Sequence, residues 1–92
     1  MKYIIKPTSK FQKDLKRMGK RGYDLRELTR IIEKLAKGEK LPEKNRDHRL
    51  SGIFHTKREC HLMPDWLLIY EVSNCDMTLY LIRTGSHSDL FD

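Results

Sequence analysis

Histidine is the side chain whose unperturbed pKa, about 6.5, lets it give or take a proton near neutral pH. The chain has four: His48, His55, His61 and His87. Three of them fall where the predicted elements converge on Asp65 and Arg83, giving a candidate catalytic set of His48, His61, Asp65, Arg83 and His87. Histidine, aspartate and arginine at one site on a basic protein suit metal-free RNA cleavage. The ribose 2′-OH attacks the adjacent phosphate, a base removes its proton, and an acid protonates the departing 5′-oxygen. A cation stabilises the phosphate oxygens. Arg83 suits that part, because a guanidinium is always charged and matches phosphate geometry. Trp66 and Phe91 could stack on bases, with core packing as the competing reading.

These residues need a scaffold, and the stretch His61–Phe91 supplies one. Trp66 to Val72 is nearly all apolar and rich in strand-favouring types. Ser73-Asn74-Cys75-Asp76 is a turn cluster, and Met77 to Arg83 is a second strand. With those four residues as the loop, Val72 faces Met77, Tyr70 faces Leu79, Leu68 faces Leu81 and Trp66 faces Arg83. The corner at Met63-Pro64 brings His61 back near Trp66. Thr84-Gly85-Ser86 turns the chain again and presents His87 before a short C-terminal turn. His55 is six residues from His61, on the same face but far along it.

Earlier in the chain, Tyr3-Ile4-Ile5 reads as a first strand continuing from Met1, ended by Lys6-Pro7. Ser9 with Gln12 forms a capping box, so a helix starts near Lys10. Phe11, Leu15 and Met18 make its apolar stripe, and Lys10, Lys13, Lys16, Arg17 and Lys20 its opposite face. Gly19 and Gly22 stop it. Asp24 caps a second helix whose buried face is Leu25, Leu28, Ile31, Ile32 and Leu35, with Gly38 past its end. Residues 38–47 form a charged loop whose length suggests a mobile segment. His48-Arg49-Leu50 makes a short strand, and Ile53 to Leu62 a longer one. The expected fold is α+β: two helices on a twisted, mainly antiparallel sheet, in the order β-α-α-β-β-β with an extra short strand at His48. Residues 1–92 are expected to form one domain.

The chain carries 19 Lys and Arg against 13 Asp and Glu, a net charge of +6. That suggests an anionic partner, and nucleic acid fits better than membrane. Lys13, Lys16, Arg17 and Lys20 are candidate phosphate contacts, or simply a solvated basic face. No apolar run approaches the roughly 20 residues of a transmembrane helix, and the N-terminus reads as a strand rather than a signal peptide. Cys60 and Cys75 have no metal-like spacing. Two free thiols in a reducing cytoplasm is the expected state. A zinc site at the histidines is the rival to acid–base chemistry. No H-x-x-x-H pair lies on a helix, and the arginine would repel a divalent cation, so neither metal nor cofactor is expected.

Three motifs together are similar to one family: D-H-x-L-x-G at Asp47–Gly52, H-x-x-P-D-W-L-L-I-Y at His61–Tyr70, and R-T-G-S-H-S-D-L-F at Arg83–Phe91. They resemble the YafQ branch of the RelE/ParE superfamily, toxins of bacterial toxin–antitoxin modules. The resemblance covers nearly the whole chain. It implies a RelE-like fold and ribosome-dependent cleavage of mRNA in the A site without metal, silenced by a cognate antitoxin that the excess positive charge expects to be acidic. It ties His48, His61, Asp65, Arg83, His87 and Phe91 to activity, with Trp66 at a neighbouring position. Glu59 and Met63 stand where members vary and receive no role. In this reading His87 is the acid and Asp65, aided by His48 or His61, the base, though the roles could be exchanged. Two other functions compete: a basic module that occupies RNA or the ribosome without cutting, and a gyrase-directed toxin of the ParE type. Neither needs acid–base groups.

Overall fold

A computed structural model describes residues 2–91, the side chain of Phe54 excepted. The order is β1 (Ile4–Pro7), α1 (Ser9–Lys20), α2 (Leu25–Ala36), β2 (His48–Arg49), β3 (Arg58–Met63), β4 (Trp66–Ser73), β5 (Thr78–Gly85) and α3 (His87–Phe91). The strands form one sheet in the order β1-β5-β4-β3-β2, in which β1 runs parallel to β5 and every other pair is antiparallel. This is the expected α+β order with its extra short strand, plus a third helix where a turn was expected. The expected strand residue Met1 lies outside the described residues.

Both long helices end in the same way. Gly22 and Gly38 adopt φ +84° and +79°. The N–H of the following residue, Tyr23 or Glu39, returns to the carbonyl of Met18 or Lys34, which is the Schellman arrangement that a left-handed residue permits. At the start of α1 the cap is Thr8 rather than the expected Ser9: its hydroxyl accepts from the Phe11 N–H at 3.0 Å. Asp24 caps α2 as expected, accepting from the Arg26 N–H. Phe11, Met18, Leu28, Ile31 and Leu35 are buried against Cys60, Trp66, Leu68 and Tyr70 of the sheet. One position of the α1 stripe is not apolar: Asp14 lies among the buried residues at 2% exposure.

The β4–β5 register differs from the expected one. Val72 pairs with Leu79, Tyr70 with Leu81 and Ile69 with Arg83, while Trp66 pairs with Met63 of β3. The loop is Asn74–Met77, because Ser73 already pairs with Thr78 and Met77 takes the left-handed conformation at φ 51°. Side chains hold this choice in place: Tyr80 Oη donates to Asp76 and Tyr3 Oη to Asn74. A bulge then leaves Ile82 without a partner between the Tyr70–Leu81 and Ile69–Arg83 pairs.

Two loop expectations also change. Strand β3 begins only at Arg58, because Gly52–Phe54 winds into a 3-10 turn. The 38–47 loop contains a second such turn, Glu43–Asn45, and is tied to the sheet. Buried Asn45 donates to the His61 carbonyl at 2.8 Å, and Tyr70 Oη and Arg58 Nε both donate to Asp47. No helix among the described residues is long and apolar enough to cross a membrane.

Candidate active site

Side chains alternate across a strand, so β3 and β4 each sort their residues onto two faces. Cys60, Trp66, Leu68 and Tyr70 join the core under α1 and α2. Glu59 and His61 therefore face the other way, together with their partners Ile69 and Leu67. His48 pairs with Glu59 across β2 and β3 and shares that face.

There the histidines form a row. Ring centroids lie 6.4 Å apart between His48 and His61, and 5.9 Å between His61 and His87. Phe91 extends the row, 6.5 Å from His87. The structure thus brings His48, His61, Asp65, His87 and Phe91 together. His55 stands apart, exposed, with Nδ1 3.3 Å from the Gly52 carbonyl oxygen.

His87 is the first residue of α3, and Asp65 sits at the tip of the β3–β4 turn. One carboxylate oxygen, Asp65 Oδ1, accepts both the His87 backbone N–H at 2.9 Å and ring Nδ1 at 2.6 Å. These two bonds, the backbone one first, hold the Asp65 carboxyl below its usual range. An ionised carboxylate only accepts, so the proton of this bond belongs to Nδ1, and Nε2 of His87 faces outward. Helix α3 is held to the body from behind. Ser86 and Asp89 bond reciprocally, N–H to Oδ2 at 2.9 Å and N–H to Oγ at 3.1 Å, as a capping box. Arg21 then grips both oxygens of Asp89 at 2.7 and 3.1 Å. Gly85 makes this possible, since a Cβ there would come within 2.9 Å of Asp89 Cβ.

At the other end of the row stands a residue that sequence reasoning missed. Glu59 is buried, with Oε1 3.3 Å from His61 Nε2 and 3.6 Å from His48 Nε2. The available signal was its place in the sequence: an acidic residue inside a strand, two before His61, must share that histidine's face. His48 Nδ1 lies 2.7 Å from the Arg46 carbonyl oxygen. A carbonyl only accepts, so Nδ1 carries a proton and Nε2 is the nitrogen turned to Glu59 and the open face.

Arg83 is not beside Trp66. The Ile82 bulge carries it to Ile69, at the part of β5 that β1 does not reach and α1 borders instead. Its Nε and Nη2 donate to Asp14 at 2.6 and 3.1 Å, and the Thr84 N–H and Arg17 Nη2 bond the same carboxylate. Asp14 raises the Arg83 pKa further, so the charge persists at any working pH. Arg83 and Phe91 line one cavity.

Trp66 is corrected from a candidate base-stacking residue to a core residue. It is 1% exposed, packs edge-on to Tyr23 at 5.0 Å and donates through Nε1 to Thr84 Oγ1. A large aromatic with its N–H satisfied inside the protein has no face to offer RNA. Of the basic residues on α1, Lys13, Lys16 and Lys20 are exposed, whereas Arg17 is partly buried against Asp14.

Comparison with known proteins identifies the family and the fold. The family described as "Bacterial toxin of type II toxin-antitoxin system, YafQ" matches residues 3–92. The mRNA interferase toxin YafQ of Escherichia coli K12 is 35% identical over 88 residues, 95% of this chain and 94% of that protein. A metal-bound toxin from Helicobacter pylori superposes with a TM-score of 0.92 at 45% identity, covering 97% of this chain and 99% of the other. The E. coli DinJ–YafQ toxin–antitoxin complex gives a TM-score of 0.90 at 32% identity and covers 100% of both chains. From this match along nearly its whole length, the chain belongs to the YafQ family of bacterial type II toxins.

Proposed function

We propose that the protein is an endoribonuclease toxin that cleaves mRNA in the ribosomal A site by acid–base chemistry and is neutralised by an antitoxin. The observation that carries this reading is the histidine row with a carboxylate at each end: Glu59 beside His48 and His61, and Asp65 beside His87. In-line transesterification needs a base and an acid on opposite sides of one phosphate. His48, with Nδ1 protonated, has Nε2 available to take the 2′-OH proton, and Glu59 stabilises the imidazolium that forms. The 2′-oxygen bonds to phosphorus. His87, protonated at both nitrogens, gives its Nε2 proton to the 5′-oxygen as the phosphorus–oxygen bond breaks. Asp65 holds the His87 ring in place through its Nδ1 and backbone N–H. This assignment moves Asp65 from base to support, because its Oδ1 is already committed to His87.

The H. pylori relative is metal-bound. Among the described residues of this chain, no three His, Cys, Asp or Glu side chains are arranged to hold a metal ion. The E. coli relative is held by DinJ. A net charge of +6 favours an acidic antitoxin here, steered by charge complementarity. That charge gives RNA affinity without sequence readout, so the ribosome supplies substrate position. The test is cleavage of one mRNA, naked and on programmed ribosomes. Discrete cuts confined to the ribosome-bound message are expected. Intact transcripts under full translational block would overturn the reading.

A further inference from the structure

Just before the row, the backbone at Arg46 takes the left-handed conformation, φ 47° and ψ 44°. Among the described residues only Arg46 and Met77 do so without being glycine. Met77 closes the β4–β5 loop. Arg46 follows the 3-10 turn Glu43–Asn45, a place where glycine would meet no steric cost. A residue with a Cβ persists there only when its surroundings hold it. Both neighbours of Arg46 are fixed to the sheet. Asn45, 3% exposed, donates through Nδ2 to the His61 carbonyl oxygen at 2.8 Å. Asp47 accepts from Tyr70 Oη at 2.7 Å and from Arg58 Nε at 3.1 Å. Tyr70 is itself buried in the core. The chain at Arg46 is thus pinned to β3 on one side and to β3 and β4 on the other.

What this conformation delivers is a carbonyl. The φ and ψ of a residue set where its carbonyl points, and at Arg46 it points to His48 Nδ1, 2.7 Å away. The Arg46 guanidinium takes no part in that bond. A neutral imidazole carries one proton, and the hydrogen bond made by one nitrogen decides which nitrogen has it. The His48 side chain is half-exposed, so without a fixed partner water would leave it divided between two forms. The form protonated at Nε2 cannot accept a 2′-OH proton there. The Arg46 carbonyl selects the other form. Once His48 has gained its second proton, the same bond is charge-assisted and stronger. We infer that Arg46 is a positioning residue for the base of the proposed reaction. Its left-handed backbone, kept in place by the Tyr70–Asp47 bond, fixes the tautomer and the ring of His48. The inference rests on the proposed cleavage and extends its machinery to groups that touch no substrate: the Arg46 backbone and the Tyr70 hydroxyl.

Two measurements test it. The ¹⁵N imidazole shifts of the free protein at about pH 8, where imidazole is ordinarily neutral, show which nitrogen of His48 carries the proton. Single-turnover cleavage on programmed ribosomes gives the rate. Arg46→Val puts a β-branched residue where a positive φ is a severe outlier. It should mix the two tautomers and slow cleavage about tenfold or more, part of the about 10²–10⁴-fold that a positioned base supplies. Arg46→Gly and Arg46→Asn readopt the left-handed conformation and should rescue both readouts. Tyr70→Phe keeps the core ring, removes the anchor of Asp47 and should behave like Arg46→Val. Circular dichroism checks the fold of each variant. A wild type with the proton on His48 Nε2 would overturn the inference. So would folded Arg46→Val and Tyr70→Phe variants with wild-type rates and an unchanged tautomer. Glycine and asparagine variants as slow as the valine one would also overturn it, since the guanidinium rather than the backbone would then be at work. A wild type that holds the Nδ1 proton yet cuts no message would instead defeat the cleavage reaction itself.

Discussion

The two ends of the histidine row use the same pair of residue types in opposite surroundings. Glu59 is buried in the sheet, its side chain 8% exposed, with its oxygen shared between two imidazoles. Asp65 is on a turn tip, 66% exposed, with its oxygen committed to one imidazole and one backbone N–H. A buried carboxylate acts through a medium that screens it little, whereas an exposed one is weakened by water and salt. Glu59 therefore depends on charge and Asp65 on geometry. In the proposed reaction the end that gathers a proton has the buried carboxylate, and the end that delivers one has the shorter contacts.

Removing the central side chain of either end should give the largest effect. His87→Ala loses the acid and should slow single-turnover cleavage by about 10²–10⁴-fold without unfolding, since His87 is exposed. A wild-type rate in that variant would remove α3 from the chemistry. Glu59→Gln preserves shape and deletes charge, and should cost about 10²-fold, the scale of one lost electrostatic contact. Because its field is little screened, this loss should be nearly independent of salt. The smaller loss in Asp65→Asn should shrink as salt rises.

The hold on α3 gives a smaller effect, seen in stability rather than rate. The Arg21 guanidinium, then the Ser86 backbone N–H, keeps the Asp89 carboxyl well below the usual carboxylate range. A carboxyl with a depressed folded pKa contributes stability that is full above its unfolded value, about 3.9. The contribution is lost as pH falls through the folded value. Docking of α3 should thus be constant from pH 7 to 5 and weaken only below about 4. Arg21→Ala should destabilise only slightly, because Arg21 is exposed and water screens the pair. Amide exchange in residues 86–91 reads this directly, and protection that weakens already near pH 6 would contradict it.

The smallest effect tests the alternation that puts Glu59 in the site. Its neighbour Cys60 must face the opposite side, where burial pushes its thiol up to about 12. Cys75 is exposed. A thiol reagent at pH 8 should modify Cys75 and leave Cys60 untouched in the folded protein. Rapid labelling of Cys60 would mean that β3 is turned over and Glu59 is not in the row.

Much of this site could be read from residue order. Strand alternation and the turns at Pro64-Asp65 and Gly85-Ser86 suffice to gather His61, Asp65 and His87. Three features were hidden because they depend on partners distant in sequence. Met77 and the Ile82 bulge change the register, so Arg83 meets Asp14 of α1 rather than Trp66. Trp66 is in the core because Thr84 satisfies its N–H from the neighbouring strand. Alternation puts Glu59 on the face of His61, but its second imidazole arrives only when β2 lays His48 across from it.

The pH dependence of single-turnover cleavage tests the division of labour most directly. A base sets the acid limb of the profile and an acid the alkaline limb. His48→Ala should therefore remove the acid limb and keep the alkaline one. His87→Ala should remove the alkaline limb and keep the acid one. Both substitutions removing the same limb, or their effects exchanged, would contradict the assignment of His48 as base and His87 as acid.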